Sequence, residues 1–123
     1  MHVLILEDDV LIALDLAATI EEFGATVAGP AHTAHQAEKI IAARRPDLAL
    51  LDFQLNGHTS EAIADHLSGM GVPVVLITGH GRLNLPDRLR EGIVLPKPVA
   101  PKTVHAIMHE AFRGDLHRTA APV

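Results

Sequence analysis

The chain has 123 residues, 48% of them hydrophobic and 20% charged, a size and make-up for one globular domain with a proper core rather than two. It contains no cysteine, which excludes disulfides, thiolate metal sites and cysteine nucleophiles. The formal charge of −5 and the scattered lysines and arginines argue against a phosphate-backbone footprint, so no nucleic-acid partner is expected.

In chain order, the first apolar run is His2-Val3-Leu4-Ile5-Leu6, a predicted strand closed by Glu7-Asp8-Asp9. It meets acid too early for a secretory signal, and no apolar stretch approaches the ~18 residues of a membrane span. A cytoplasmic location with no membrane partner is therefore the expectation. Asp9 suits the N-cap of a helix at 10–23. On that helix Ile12, Leu16, Ile20 and Phe23 recur at helical spacing and are expected to face a sheet. Leu11, Leu14 and Ala18 lie on another side; they read either as the border of a wide core stripe or as a docking face for a partner helix.

Gly24 fits a helix end, and a second strand is read at 25–28. Thr33-Ala34-His35-Gln36 forms a capping box for a helix at 34–44. Asp47 reads as a turn residue before the third strand, 48–51, which Asp52 closes. The segment Phe53-Gln54-Leu55-Asn56-Gly57 is read as a loop, and a helix follows at 59–69, with Gly71 as punctuation. A fourth strand at 73–77 ends at Thr78, a helix spans 84–90, and a fifth strand at 92–95 leads to Pro96-Lys97-Pro98. The last helix covers 101–113 with Pro101 in its first turn, and residues 114–123 lack periodicity and read as a frayed tail. No linker or repeat points to an output domain.

Short apolar runs alternating with amphipathic segments predict an α/β fold: a five-stranded parallel sheet with helices on both faces. Right-handed crossovers leave few topologies, and the order 2-1-3-4-5 sets the first, third and fourth strands side by side. Ligands of such sheets sit at the carboxyl edge, where Asp52 and Glu7-Asp8 both fall. Carboxylates gathered there repel one another and call for a divalent cation or a protonation change.

With Glu7-Asp8, Asp52, Thr78 and Pro96-Lys97-Pro98 each at a strand end and in this order, residues 2–113 resemble a receiver domain of two-component response regulators. The resemblance implies a flavodoxin-like (βα)5 fold and a stand-alone, single-domain response regulator. Asp52 would accept a phosphoryl group from a histidine kinase or a histidine phosphotransfer protein. Asp8, Asp52 and the backbone carbonyl of Gln54 would hold Mg²⁺, with Mn²⁺ as a substitute and Glu7 acting through a metal-bound water. Lys97 and Thr78 would stabilise phosphoryl oxygens, and Gly79 would leave backbone room for them. The resemblance further implies a cis Lys97-Pro98 bond. Leu11 and Leu14 become candidate residues for docking the donor. Gln54 and His80 border the path of the hydrolytic water and are expected to set the lifetime of the phosphorylated state.

The chain departs from the common receiver pattern at Val94, where many members carry an aromatic residue that reports phosphorylation, and it has no Tyr or Trp. Thr78-Gly79-His80-Gly81 and Pro96-Lys97-Pro98 are similar to a subgroup named for a Phe-Ala-Thr-Gly motif, although Leu76-Ile77 stand where Phe-Ala would be. His105 and His109 share an i,i+4 spacing that suits a transition metal, but no third ligand is near in sequence. With Phe112 they are expected to form a face for a homodimer, while an unnamed downstream protein is the expected target. Two rivals remain: a haloacid dehalogenase-type aspartate-nucleophile phosphatase and a phosphorylation-independent interaction module. The first expects an acid two residues after the nucleophile, and this chain has Gln54 there. The second leaves the full acidic pocket, Thr78 and Lys97 without a purpose. The protein is expected to dephosphorylate itself slowly at most, not to be an enzyme in the metabolic sense.

Overall fold

A computed structural model describes residues 1–79 and 85–116. Strands β1 (His2–Leu6), β2 (Thr26–Ala31), β3 (Leu48–Asp52), β6 (Val74–Thr78) and β7 (Ile93–Pro96) build one parallel sheet in the order β2-β1-β3-β6-β7. Counting only these five strands, this is the expected 2-1-3-4-5 arrangement. The helices are α1 (Val10–Phe23), α2 (Ala34–Ala43), α3 (Glu61–Gly69), α4 (Asp87–Arg90) and α5 (Pro101–Phe112).

The alternation of strand side chains divides the core in two. Val3, Ile5, Leu48, Leu50, Val75 and Ile77 pack with Leu16, Ala17 and Ile20 of α1 and with Val104, Ile107 and Met108 of α5. Leu4, Leu6, Ala49, Leu51, Val74 and Leu76 point the other way, into Ala37 and Ile41 of α2 and Ile63, Ala64 and Leu67 of α3. Both faces are covered, so the central strands are apolar throughout, and each large side chain buried contributes about 1.5–3 kcal/mol of transfer free energy.

Several predicted elements shift. The second strand continues through Gly29-Pro30 to Ala31, where a register shift lets Leu6 pair with Ala31. The sheet-facing stripe of α1 is Ala13, Leu16, Ala17 and Ile20 rather than one containing Ile12, which is exposed. Ala13, Leu16, Ala17 and Ile20 recur at i, i+3, i+4 and i+7 on one face, and Ile12 lies about 100° round the helix from Ala13, at the rim. The segment after Asp52 contains a hairpin, β4 (Gln54–Leu55) pairing with β5 (His58–Thr59) around Asn56-Gly57, with Gly57 at φ 83°. Thr59 is thereby a strand residue, and α3 starts two residues later than expected. The fourth helix begins at Asp87; Asn84 lies outside the described residues. Among the described residues no helix is long and apolar enough to cross a membrane.

Capping follows the sequence. Asp9 accepts hydrogen bonds from the Leu11 and Ile12 amides at 3.0 and 3.1 Å, and Gly24 ends α1 at φ 103°. Thr33 Oγ1 accepts from the Gln36 amide at 3.1 Å. The Gln36 side chain reaches one residue further back than a capping box requires, accepting from the His32 amide at 2.7 Å.

Candidate phosphoacceptor site

Strand register builds the site. Leu6 is level with Leu51 and Ile77 is level with both Asp52 and Leu95, so the chain leaves β1, β3, β6 and β7 at one edge. Glu7, Asp52, Thr78 and Lys97 follow as the next side chains there. Glu7 and Asp52 are 1% and 2% exposed, and Thr78 is as deeply buried. Carboxylate oxygens of Glu7, Asp8 and Asp52 all lie within 4.8 Å of one another.

Lys97 closes the pocket. Its Nζ donates to Asp52 Oδ2 at 3.0 Å and lies 3.1 Å from Glu7 Oε1. Its backbone amide donates to the Thr78 carbonyl at 3.0 Å, and the Lys97-Pro98 bond is cis. Burial disfavours the ammonium, but the contacts with Asp52 and Glu7 outweigh it and raise its pKa. Glu7 moves further: burial, helped by the neighbouring Asp52 charge, raises its pKa to about 7, against the pull of the Asp9 amide and Lys97. One of its oxygens, Oε2, accepts from the Asp9 amide at 3.1 Å. The other, Oε1, is buried and has the Lys97 ammonium 3.1 Å away.

That buried oxygen, inside a cluster of three carboxylates that share one ammonium, fits a hard divalent cation. Mg²⁺ takes oxygen donors, and it would answer the carboxylate charge that one lysine leaves uncompensated.

The remaining predicted residues fall around this pocket or away from it. Gln54 opens β4 two residues beyond Asp52 with its side chain exposed. His80 lies outside the described residues. Leu11 and Leu14 are 75% and 54% exposed and, with Val10, form an apolar patch on the first turns of α1, directly after the acidic loop. His105, His109 and Phe112 gather around one ring, Phe23 at the end of α1, at centroid distances of 6.1, 5.1 and 5.3 Å. They therefore edge the α1–α5 seam, with Phe112 still half exposed. Val94 packs against the cluster that contains Leu85, as does Leu89 of α4.

Two features escaped sequence reasoning. The Asn56-Gly57 pair between short alternating runs is a hairpin signal and was available. The contact of His32 Nδ1 with the Glu7 carbonyl, at 3.0 Å, had no sequence signal, because it depends on β2 running on beside β1.

The profile of the response regulator receiver domain matches residues 3–109, and the chain belongs to that family. It is 38% identical over 115 residues to the phyllosphere-induced regulator PhyR of Methylorubrum extorquens, covering 90% of this chain and 43% of that protein. The solution structure of the Erythrobacter litoralis PhyR receiver domain superposes with a TM-score of 0.81 at 33% identity, covering 91% of this chain and 89% of that one. The anti-anti-sigma factor PhyR from Bartonella quintana gives 0.74 at 31% identity, over 92% of this chain and 47% of that one. The chain spans about half the length of the curated relatives it matches.

Proposed function

We propose that this receiver is a Mg²⁺-dependent phosphoacceptor switch in which Asp52 takes a phosphoryl group from a phosphohistidine on a kinase or phosphotransfer protein. The observation that carries the reading is Lys97 Nζ bonded to Asp52 within a cluster of three carboxylates. An Asp52 oxygen attacks phosphorus, the P–N bond to imidazole breaks, and an acyl phosphate P–O bond forms. Asp8, Asp52 and the Gln54 carbonyl would hold the cation, with Glu7 behind a bound water, and the cation would neutralise charge on the phosphoryl oxygens. Lys97 exchanges its contact with Asp52 for one with a phosphoryl oxygen and stays in place through its backbone bond to Thr78. The Thr78 hydroxyl donates to another phosphoryl oxygen. Gln54, exposed two residues beyond Asp52, would flank the approach of the hydrolytic water.

The donor docks on Leu11 and Leu14. Beside them a cleft of about 600 Å³ separates α1 from α5, lined by Ile12, Leu16, Ile77, Pro98 and Val104 and reaching Lys97. The likeness to a protein named an anti-anti-sigma factor supports output through protein contact; a cytoplasmic setting and no catalytic turnover of a metabolite belong to the same proposal. A homodimer through the His105, His109 and Phe112 edge is the companion proposal.

The test is incubation with a small acyl phosphate and Mg²⁺, followed by intact-mass measurement. Wild type gains one phosphoryl group and Asp52→Ala gains none. An unmodified wild type overturns the reading.

A further inference from the structure

We propose that His32 is a positioning residue for the acidic pocket, holding the Glu7–Asp8 peptide so that the Asp8 carboxylate meets that of Asp52. The proposal rests on the phosphoacceptor reading and concerns one side chain that has no part in that chemistry. His32 Nδ1 lies 3.0 Å from the Glu7 carbonyl oxygen. A carbonyl only accepts, so Nδ1 carries the proton and is the donor. On the other side of the same residue, the Glu7 amide donates to the Ala31 carbonyl at 2.9 Å. Glu7 is thus held at both its N–H and its C=O by two consecutive residues of one segment, Ala31 and His32.

That segment is itself fixed. Ala31 is the last residue of β2 and is fully buried. The His32 amide donates to Gln36 Oε1 at 2.7 Å, while Thr33 caps α2 through the Gln36 amide. The start of α2 therefore sets the position of the imidazole, and the imidazole sets the plane of the Glu7–Asp8 peptide. Rotation of that peptide would swing the Asp8 carboxylate, which depends on its backbone for its place among the three carboxylates within 4.8 Å. Partners of this kind, one step removed from a metal, alter affinity by about 10–100-fold.

The experiment compares His32→Asn, whose amide donor stands where Nδ1 does, with His32→Gln, which carries the same amide one methylene further out. Mn²⁺ affinity is measured by the electron paramagnetic resonance signal of the free ion, after circular dichroism melting establishes folding. His32→Asn is expected to bind within about threefold of wild type and His32→Gln about tenfold more weakly. Equal affinities for all three proteins, or equal losses in both variants, overturn the proposal while leaving the phosphoacceptor reading intact. Failure of the wild type itself to bind Mn²⁺ overturns both. An independent readout needs no variant: a long-range ¹H–¹⁵N spectrum of the wild type should show the His32 proton on Nδ1, and a neutral ring protonated only at Nε2 overturns the proposal.

Discussion

Glu7 concentrates the electrostatics of the pocket in one side chain. Its pKa rises from the ordinary carboxyl value to about 7, chiefly because burial penalises the charge and then because Asp52 stands beside it. The unfolded chain releases this proton near the ordinary value, so the folded state binds more protons between about 4.5 and 7. Stability from this group is fully present below that window and is lost as pH rises through it. Urea titrations of the metal-free protein should show a decline on the order of 2 kcal/mol across the window, reduced by the water-facing side of the pocket. Glu7→Gln should flatten the decline, and an unchanged slope would contradict the assignment. Because a cation favours the ionised carboxylate, Mg²⁺ affinity should rise over the same range.

Among the elements, α4 is the one held least by apolar burial. It is a single turn with no fully buried residue, and Arg88 ties it to α3 by contacting both Glu61 and Asp65. Those two acids hold the Arg88 pKa above its ordinary value. The pair is exposed, so its worth to global stability is small. Its effect is local: it pins the turn whose Leu89 packs against the core cluster on the α2–α3 face of the sheet. Arg88→Ala should leave the denaturation midpoint nearly unchanged and increase hydrogen exchange at 87–90. Equal exchange in both proteins would show that Leu89 alone holds the turn.

For the whole molecule, the sheet edge converts folding into charge crowding. The apolar core holds Glu7, Asp8 and Asp52 together, and their repulsion is a cost that a bound cation relieves. Saturating Mg²⁺ should therefore raise the melting temperature, corresponding to about 2.7 kcal/mol when the ion is at 100 times its dissociation constant. Asp8→Asn should be more stable than wild type without metal and should lose most of the Mg²⁺-dependent rise. Equal shifts in both would place the ion elsewhere.

Most of the fold could be read from the chain because its signals are local. The apolar runs at Val3–Leu6, Leu48–Leu51 and Val74–Ile77 are continuous, as strands covered on both faces must be. Asp9, Gly24 and Pro101 mark helix ends through interactions within one turn. The acids, Thr78 and Lys97 could be located because strand ends can be read, and parallel strands of similar length end at one edge. Other features depended on neighbours distant in sequence. Ile12 and Ala13 are adjacent and both apolar; only the way α1 is docked on the sheet buries Ala13 and leaves Ile12 at the rim. Phe23 looked like a sheet contact until α5 placed His105, His109 and Phe112 around it.

The sequence by itself determined the layered architecture and the identity of the acidic pocket, because periodicity and the ends of strands are properties of short segments. Tertiary structure alone decided how Glu7 is charged, which atoms Lys97 bridges and where His32 points. Those depend on burial and on distances between residues 25 to 90 positions apart, such as Glu7 with His32 and with Lys97, which no local pattern records.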